Sequence, residues 1–563
     1  MKKLFIAISL ALLPALVSAQ RADFRVIPLP QSVLVDSVQT FTLTSDMAIG
    51  YDSSNPEIGR IASWLREFIN ETAGVNLSLR PNDKKCAVQL RIATPAKAKK
   101  GGKNKATEPA TPTVPRVDEL TPEQEAYTIS ISKKGIDVSA ATTAGLYRAA
   151  QTLRKAMPIA KNDATQVLLP LGTVKDQPRF AYRGAMLDVA RHYFPLDVLK
   201  KYIDVLALHG CNQLHWHLSE DQGWRFEVKA LPELAKKGSV RQETVVGHNT
   251  GVYDGKQYGG FYTQAECREL VNYARDRYIN IIPEIDLPGH MMGALHVFPN
   301  LGCTGGPYPV WRHWGVSHEV LCAGNPETMT FLKTVMGELC DVFPSKLIHI
   351  GGDECPKDRW NTCAKCQAKA KELGLKDDGK HSIENQLQTW INHEMEQFLQ
   401  ERGRDMIGWD EVLEGGLTEN GIVMSWRGIN GGIEAAKQHH RVIMTPTTYC
   451  YIDYYQLKDH NRQPEAIGGY LPVSKVYSFE PLVPEALNEE EQQYILGAQV
   501  NLWTEYVAYP QQVFYMLLPR LDAISEVQWC RPEQKDFDQF KTRLPHMKQL
   551  YDKMGVNYCR DLE

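Results

Sequence analysis

Leu347-Ile348-His349-Ile350-Gly351-Gly352-Asp353-Glu354 has the form of a short buried strand that runs straight into a pair of acids. Residues 347–350 are a strand candidate, two glycines follow, and the carboxylates come at once. Neighbouring side chains on a strand point to opposite faces. Asp353 and Glu354 therefore serve one cavity only if the backbone leaves the strand, which Gly351-Gly352 permits. Adjacent carboxylates repel, and the pKa of at least one rises. One then stays protonated near neutral pH and donates to a leaving oxygen, while its ionised partner orients substrate or stabilises positive charge. Acid hydrolysis of a glycoside needs that division of labour.

The same texture repeats on both sides of this stretch. Strand candidates fall at 184–187, 213–216, 280–285, 347–350, 405–408, 422–424, 441–444 and 496–500. Amphipathic segments separate them. Val198, Tyr202, Val205 and Leu206 make one stripe at i, i+4, i+7 and i+8, and similar patterns run through 264–278, 326–343, 383–402 and 511–527. Eight β/α units predict an α/β fold, a TIM (β/α)8 barrel over 176–530. An open doubly wound sheet is the alternative, disfavoured because no Gly-rich phosphate turn follows the first strand. Residues 20–175 mix β-like runs (33–35, 127–132, 136–139) with helix-like ones (58–70, 144–155), as expected of a smaller α+β domain preceding the barrel. Within it, 96–116 is Lys, Ala, Gly, Pro and Thr with almost no apolar anchor, so a flexible surface loop is expected. Residues 531–563 read as a helical segment packed on the barrel.

Composition narrows the class. Of 563 residues, 43% are hydrophobic and 23% charged, with 63 Lys+Arg against 67 Asp+Glu and a net charge of −4. That is globular composition, without the basic field of a nucleic-acid or anionic-membrane binder. Lys2 and Lys3, the apolar run 4–16 and Val17-Ser18-Ala19 form a signal peptide of bacterial type over 1–19, cleaved before Gln20. The expectation is an exported chain, periplasmic or secreted. No other run of about 18 apolar residues suggests a membrane span. Twelve cysteines in such a chain have the option of pairing. Cys303 and Cys322 bracket a Gly/Pro/Trp-rich loop that a bridge would hold. Cys363-Ala-Lys-Cys366 reads as a local disulfide or two free thiols; a metal knuckle is the lesser reading, for want of a second CxxC or a nearby His pair.

In a barrel of this kind the site lies where strands end. The ends here are Asp188-Val-Ala-Arg191-His-Tyr-Phe, His215-Trp-His217-Leu-Ser-Glu-Asp221-Gln-Gly-Trp-Arg225, Pro283-Glu-Ile-Asp286-Leu-Pro-Gly-His290, His349-Ile-Gly-Gly-Asp353-Glu354, Gly408-Trp409-Asp-Glu411, Ser425-Trp426-Arg427, Tyr449-Cys-Tyr451-Ile-Asp453-Tyr454 and Asn501-Leu-Trp503-Thr-Glu505. Trp409, Trp426 and Trp503 are placed to wall a sugar ring; Arg191, Asp221 and Glu505 are placed to take hydroxyls by charge-assisted hydrogen bonds. His349 is read as standing behind the acid pair.

These residues, with the run from Leu214 to Arg225 and Pro288-Gly-His290, resemble the exo-β-N-acetylhexosaminidases of glycoside hydrolase family 20 over 180–529, and the N-terminal region is similar to that family's companion domain. The resemblance implies a retaining, substrate-assisted reaction on oligosaccharides or glycoconjugates with terminal β-N-acetylhexosamine, without cofactor, metal or nucleic-acid partner. The acetamido oxygen of the sugar attacks its own anomeric carbon and an oxazoline forms. By the resemblance, Glu354 protonates the glycosidic oxygen and later deprotonates water, and Asp353 holds the acetamide N–H. Arg191 clamps O3/O4, with Asp221 and His290 in support. Trp409, Trp426 and Trp503 box the N-acetyl group and ring, Tyr451 donates to the acetamido oxygen, and Asp453 and Glu505 bind O4/O6. Two rival readings use the same residues. In one, His215, His217, His290, His349 and Asp353 build a metal-dependent hydrolase site; in the other, a barrel without turnover only binds carbohydrate.

Overall fold

In the computed structural model, which describes residues 20–93, 119–160 and 166–563, eight short parallel strands close into a ring. They are β1 (Tyr182–Asp188), β2 (Gln213–His217), β3 (Asn280–Glu284), β4 (Leu347–His349), β5 (Asp405–Trp409), β6 (Ile422–Ser425), β7 (Val442–Met444) and β8 (Ile495–Leu502). β8 returns to pair with β1 and seals the barrel. All eight strand candidates are strands, with ends displaced by at most a few residues. Both faces of such strands are covered, which is why they read as apolar runs rather than as alternating ones. The proposed leader 1–19 and the low-complexity stretch 96–116 lie outside the described residues.

One helical pattern differs from expectation. The stretch 511–527 is two helices, Pro510–Leu517 and Arg520–Trp529. Pro519 stands between them: it has no N–H to donate and disfavours helical geometry in the residue before it.

The barrel is filled in two zones. An apolar cluster including Tyr182, Ile282, Leu347, Ile407, Ile422 and Ile443 packs the interior. Above it the strand register brings Asp188 opposite His217, His217 opposite Glu284, and Glu284 opposite His349. Four neighbouring strands thus end, at one height, on side chains that carry charge or protons. Outside the barrel Trp216 turns the other way and packs on Tyr262, ring centroids 4.7 Å apart.

The N-terminal domain is an eight-stranded mixed sheet with the helices Pro56–Ala73 and Thr143–Ala156 packed together on it. The second helix is buried along its whole length, because the sheet covers one side and the barrel the other. The junction contains charge. Glu125, with no exposed surface, receives Arg148 Nε at 2.7 Å and Arg183 Nη2 at 2.7 Å. Arg183 belongs to β1 and also donates to the carbonyls of Gly210 and Phe180; Arg148 donates to the carbonyl of Tyr278, just before β3. Burial opposes the charge on Glu125, yet the two guanidiniums outweigh it and hold the carboxyl below its ordinary range. The C-terminal helix Phe537–Met554 bridges both units: Tyr551 donates to Asp522 of the barrel at 2.7 Å, and Arg543 donates to the Val26 carbonyl at 2.9 Å.

Removing one member of a buried ionic group leaves its partners charged and unpaired. Glu125→Ala is expected to destabilise the protein by about 3–5 kcal/mol, read as a lower midpoint in urea unfolding. A loss near zero would mean that this triad does not couple the two domains.

Candidate active site

The site is built on Glu284, the last residue of β3. Its carboxylate is fully buried at the end of the barrel strands. His217 Nδ1 lies 2.5 Å away, His215 Nε2 2.8 Å away, and the Trp409 indole N–H donates to it at 2.8 Å. Burial alone would raise its pKa, but the surrounding imidazoles outweigh that and lower it well below the usual carboxylate range. His217 bridges onward to Glu220 at 3.2 Å; burial works against its charge, and the two carboxylates raise its pKa to about 10.

β4 ends on His349, and the backbone then leaves the strand. Gly351 and Gly352 adopt φ of 68° and 95°, and Glu354 itself has φ of 44°. The two glycines take these left-handed conformations without steric cost, the departure the sequence predicts, and strain falls on Glu354 alone of the three. At Gly351 there is a second reason for glycine: a Cβ there would overlap the Asp286 carboxylate, whose Oδ1 accepts the Gly352 N–H at 3.0 Å. The departure brings both acids to one histidine. His290 Nε2 lies 3.8 Å from Asp353 Oδ2 and 3.7 Å from Glu354 Oε2, while Nδ1 lies 2.8 Å from Glu220 Oε2. The Asp353 side chain is 11% exposed and that of Glu354 42%, so Glu354 is the more open of the two.

Burial raises the pKa of Glu354, and the charge of Asp353 adds to the effect. Burial likewise raises Asp353, against the pull of His290. Asp286, behind it, is raised well above the carboxylate range by burial and by Asp353. Asp286 and Asp353 are thus a buried pair of carboxyls placed to share a proton. On His290 burial opposes the charge, but Glu220 and Asp286 prevail and raise the pKa well above the imidazole range.

Arg191 reaches Glu220 at 2.8 Å, Asp188 at 3.3 Å and Glu505 at 3.9 Å, and its guanidinium lies over the Trp503 ring at 5.0 Å. From Trp503 an aromatic wall runs round the barrel mouth: Trp503 to Trp409 at 5.8 Å, Trp503 to Tyr451 at 6.5 Å, Tyr451 to Trp426 at 6.0 Å and nearly parallel. Trp409 is only 1% exposed, so it forms the floor rather than a side. Asp453 is buried, and burial with the nearby Glu505 raises its pKa well above the ordinary range. A cavity of about 270 Å³ beside the acids is lined by Glu354, Gln388, Glu411 and Arg427, among others. Burial and Asp353 raise Glu411 to about 8, and it accepts the Trp426 indole N–H at 2.9 Å.

Asp353, Glu354, Arg191, His290, Trp409, Trp426, Tyr451, Trp503 and Glu505 are thus brought to one mouth, and Asp453 joins them from the β7 loop. His349 stands behind the pair, fully buried, accepting the Gly351 N–H and stacked on His215 at 4.5 Å. Asp221 departs from the expectation that it takes a hydroxyl. It is fully buried, and its two oxygens accept the backbone N–H groups of Met292 and Ser317. Its neighbour Glu220 is the one turned toward Arg191 and His290. The rival metal set does not converge on one point: His215 gathers with Glu284 and His349, whereas His290 gathers with Glu220 and Asp221, or with Asp286 and Asp353. Sequence reasoning gives no role of their own to Glu220, Glu284, Asp286, Glu411 and Arg520. The first four stand in the quoted strand ends, and the signal that singles out Glu284 is an ionisable group closing an otherwise uncharged strand. Arg520, donating to the Ile452 and Tyr454 carbonyls that flank Asp453, has no local signal.

The profile of the glycosyl hydrolase family 20 catalytic domain matches residues 180–532, and that of family 20 domain 2 matches 23–177. A beta-hexosaminidase of Porphyromonas gingivalis is 43% identical over 78% of this chain, which spans 56% of that longer protein. A beta-N-acetylhexosaminidase of Cellulomonas fimi is 29% identical over 95% of this chain and 96% of its own. The solved family 20 beta-N-acetylhexosaminidase of Streptomyces coelicolor superposes with a TM-score of 0.78 at 28% identity, covering 96% of this chain and 99% of that one. The chain belongs to glycosyl hydrolase family 20.

Proposed function

We propose that the protein is an exo-acting, retaining β-N-acetylhexosaminidase that releases terminal non-reducing GlcNAc or GalNAc through an oxazoline intermediate. The observation that carries this reading is the convergence of Asp353 and Glu354, adjacent in sequence, on the single imidazole nitrogen of His290 at an aromatic mouth. Two carboxyls side by side do not flank a scissile bond as the two-carboxylate retaining scheme requires. They suit a reaction whose nucleophile comes with the substrate, and the family is retaining and substrate-assisted.

The geometry divides the work. Glu354, raised and partly exposed, gives its proton to the glycosidic oxygen and takes one from the incoming water. Asp353, backed by Asp286 and His290, accepts the acetamide N–H and balances the positive charge that builds on that nitrogen. Tyr451, whose pKa burial and Asp453 raise well above the phenol range, keeps its proton for the acetamido oxygen. Trp409, Trp426 and Trp503 confine the N-acetyl group so that it meets C1 in attacking position, an orientational gain worth several kcal/mol. Arg191, Asp453 and Glu505 hold the ring hydroxyls, and the loops 220–260, 287–325 and 455–488 set linkage and aglycone choice. The reading includes export of the chain after cleavage at Ala19, supported by the leader-like residues 1–19.

The test of this function is a pair of aryl glycosides that differ only at C2. The 2-acetamido sugar is expected to turn over and the plain glucoside to lag by orders of magnitude; equal rates would overturn the mechanism. Glu354→Gln is expected to lose about 10²–10⁴-fold in kcat on sugars with poor leaving groups and much less on activated aryl glycosides, where little protonation is needed. Activity requires the protonated form of Glu354, so kcat/KM falls as pH rises through its raised pKa. Asp353→Asn removes a charge that raises that pKa. The alkaline limb should therefore move to lower pH, and a thiazoline mimic of the charged intermediate should bind more weakly. An unmoved limb with unchanged inhibitor affinity would take Asp353 out of the chemistry.

A further inference from the structure

Twelve cysteines stand as thiols, and four of them, far apart in sequence, meet. Cys303 and Cys322 lie in the loop after β3; Cys363 and Cys366 follow β4, Cys363 preceding the helix Ala364–Glu372 and Cys366 lying in its first turn. Cys322 Sγ lies 3.6 Å from Cys366 and 3.8 Å from Cys363, and Cys303 Sγ lies 3.8 Å from Cys366. The expected partners Cys303 and Cys322 are thus together, but inside a group of four whose ligand atoms all lie within 4.8 Å of one another. The second pair of thiols that the sequence lacked as a CxxC is supplied through space.

We propose that Cys303, Cys322, Cys363 and Cys366 bind one zinc ion as a closed, structural tetrathiolate site. A zinc–sulfur bond of about 2.3 Å in a tetrahedron puts the sulfurs about 3.8 Å apart; three of the six separations are 3.6–3.8 Å and the others lie within 4.8 Å. A disulfide needs about 2.05 Å and would tie the sulfurs two by two; here Cys366 is shared between Cys303 and Cys322. Soft thiolates in a tetrahedron suit zinc or a single iron; so small a group of sulfurs does not enclose a multi-iron cluster, and elemental analysis separates zinc from iron.

The backbone is arranged for this approach. The Cys322 N–H donates to the Leu301 carbonyl at 2.7 Å, and a β-bridge joins Gly302 to Leu321, so the two cysteines of this loop issue from one small knuckle. Gly324 then passes so close to the other segment that a Cβ on it would overlap the backbone of Lys365 and Cys366. Cys322 and Cys366 are buried and Cys303 and Cys363 half-buried, which leaves the outer edge of the cluster near solvent for metal entry.

Four protein ligands fill a tetrahedral zinc, so the ion takes no part in hydrolysis. Its effect is mechanical. One knuckle belongs to the loop that carries His290, and the other follows Glu354 by nine residues. The ion fastens these loops together at a point away from the reacting groups.

The test uses the full chain, expressed with zinc supplied and purified without metal-affinity resin. Elemental analysis is expected to give about one zinc per chain, and an organomercurial that captures the thiols should release it. Cys303→Ser and Cys363→Ser should each lose most of the bound zinc and lower the melting temperature, whereas Cys86→Ser, in the N-terminal domain, should keep both. Cobalt supplied in place of zinc should give the absorption of a tetrahedral thiolate complex. Zinc at background level in the unaltered protein, with four alkylatable thiols, would overturn the proposal. So would Cys303–Cys366 and Cys322–Cys363 disulfides in non-reducing peptide maps. Neither outcome bears on the sugar chemistry, which the C2 comparison tests separately.

Discussion

A single carboxylate, that of Glu284, sits without solvent where the barrel strands end and holds together what surrounds it. Taking such a charge out of water costs several kcal/mol even after relaxation, and only a full set of charge-assisted contacts offsets it. His217, His215 and the Trp409 indole supply them. Each contact also fixes a piece of the mouth. Trp409 is pinned as the floor beneath the other rings. His217, held protonated, carries the charge pattern outward to Glu220, and Glu220 passes it to Arg191 and His290.

The result is an alternation of sign that runs from Glu284 to the reacting pair. His290 lies at its outer end, facing Asp353 and Glu354 through one nitrogen and Glu220 through the other. A cation so placed lets two neighbouring acids approach without both being driven neutral. It is also why their roles differ. Asp353 lies deep against Asp286 and His290, where an anion is supported, and Glu354 emerges through a left-handed turn into partial exposure. Identity of chemical group and difference of setting together make an acid and an electrostatic partner from consecutive residues.

Much of this was legible in the sequence, for a physical reason. A parallel barrel buries both faces of its strands and gathers function at their ends. Apolar runs terminated by His, Asp, Glu, Trp and Arg therefore announce both fold and site, and the glycines at 351 and 352 announce the bend. What stayed hidden depends on register and on contacts through space. Glu220 and Asp221 are neighbours with the same chemistry, and only the fold decides that Asp221 ties down the Met292 and Ser317 backbone while Glu220 faces the mouth. Arg520 holds a loop 66 residues away in sequence. The four cysteines looked like two local pairs because their meeting is made by two loops crossing at Gly324. The helix break at Pro519 was visible as a residue, but the apolar pattern ran through it.

The helix Thr143–Ala156, covered on every side, has a consequence for how this protein is built. A barrel produced alone would present Arg183 as an unneutralised cation in a bare apolar hollow, and the companion sheet alone would leave Glu125 and one whole flank of that helix without cover. The buried ionic group and the helix flank are thus completed only where the two units meet.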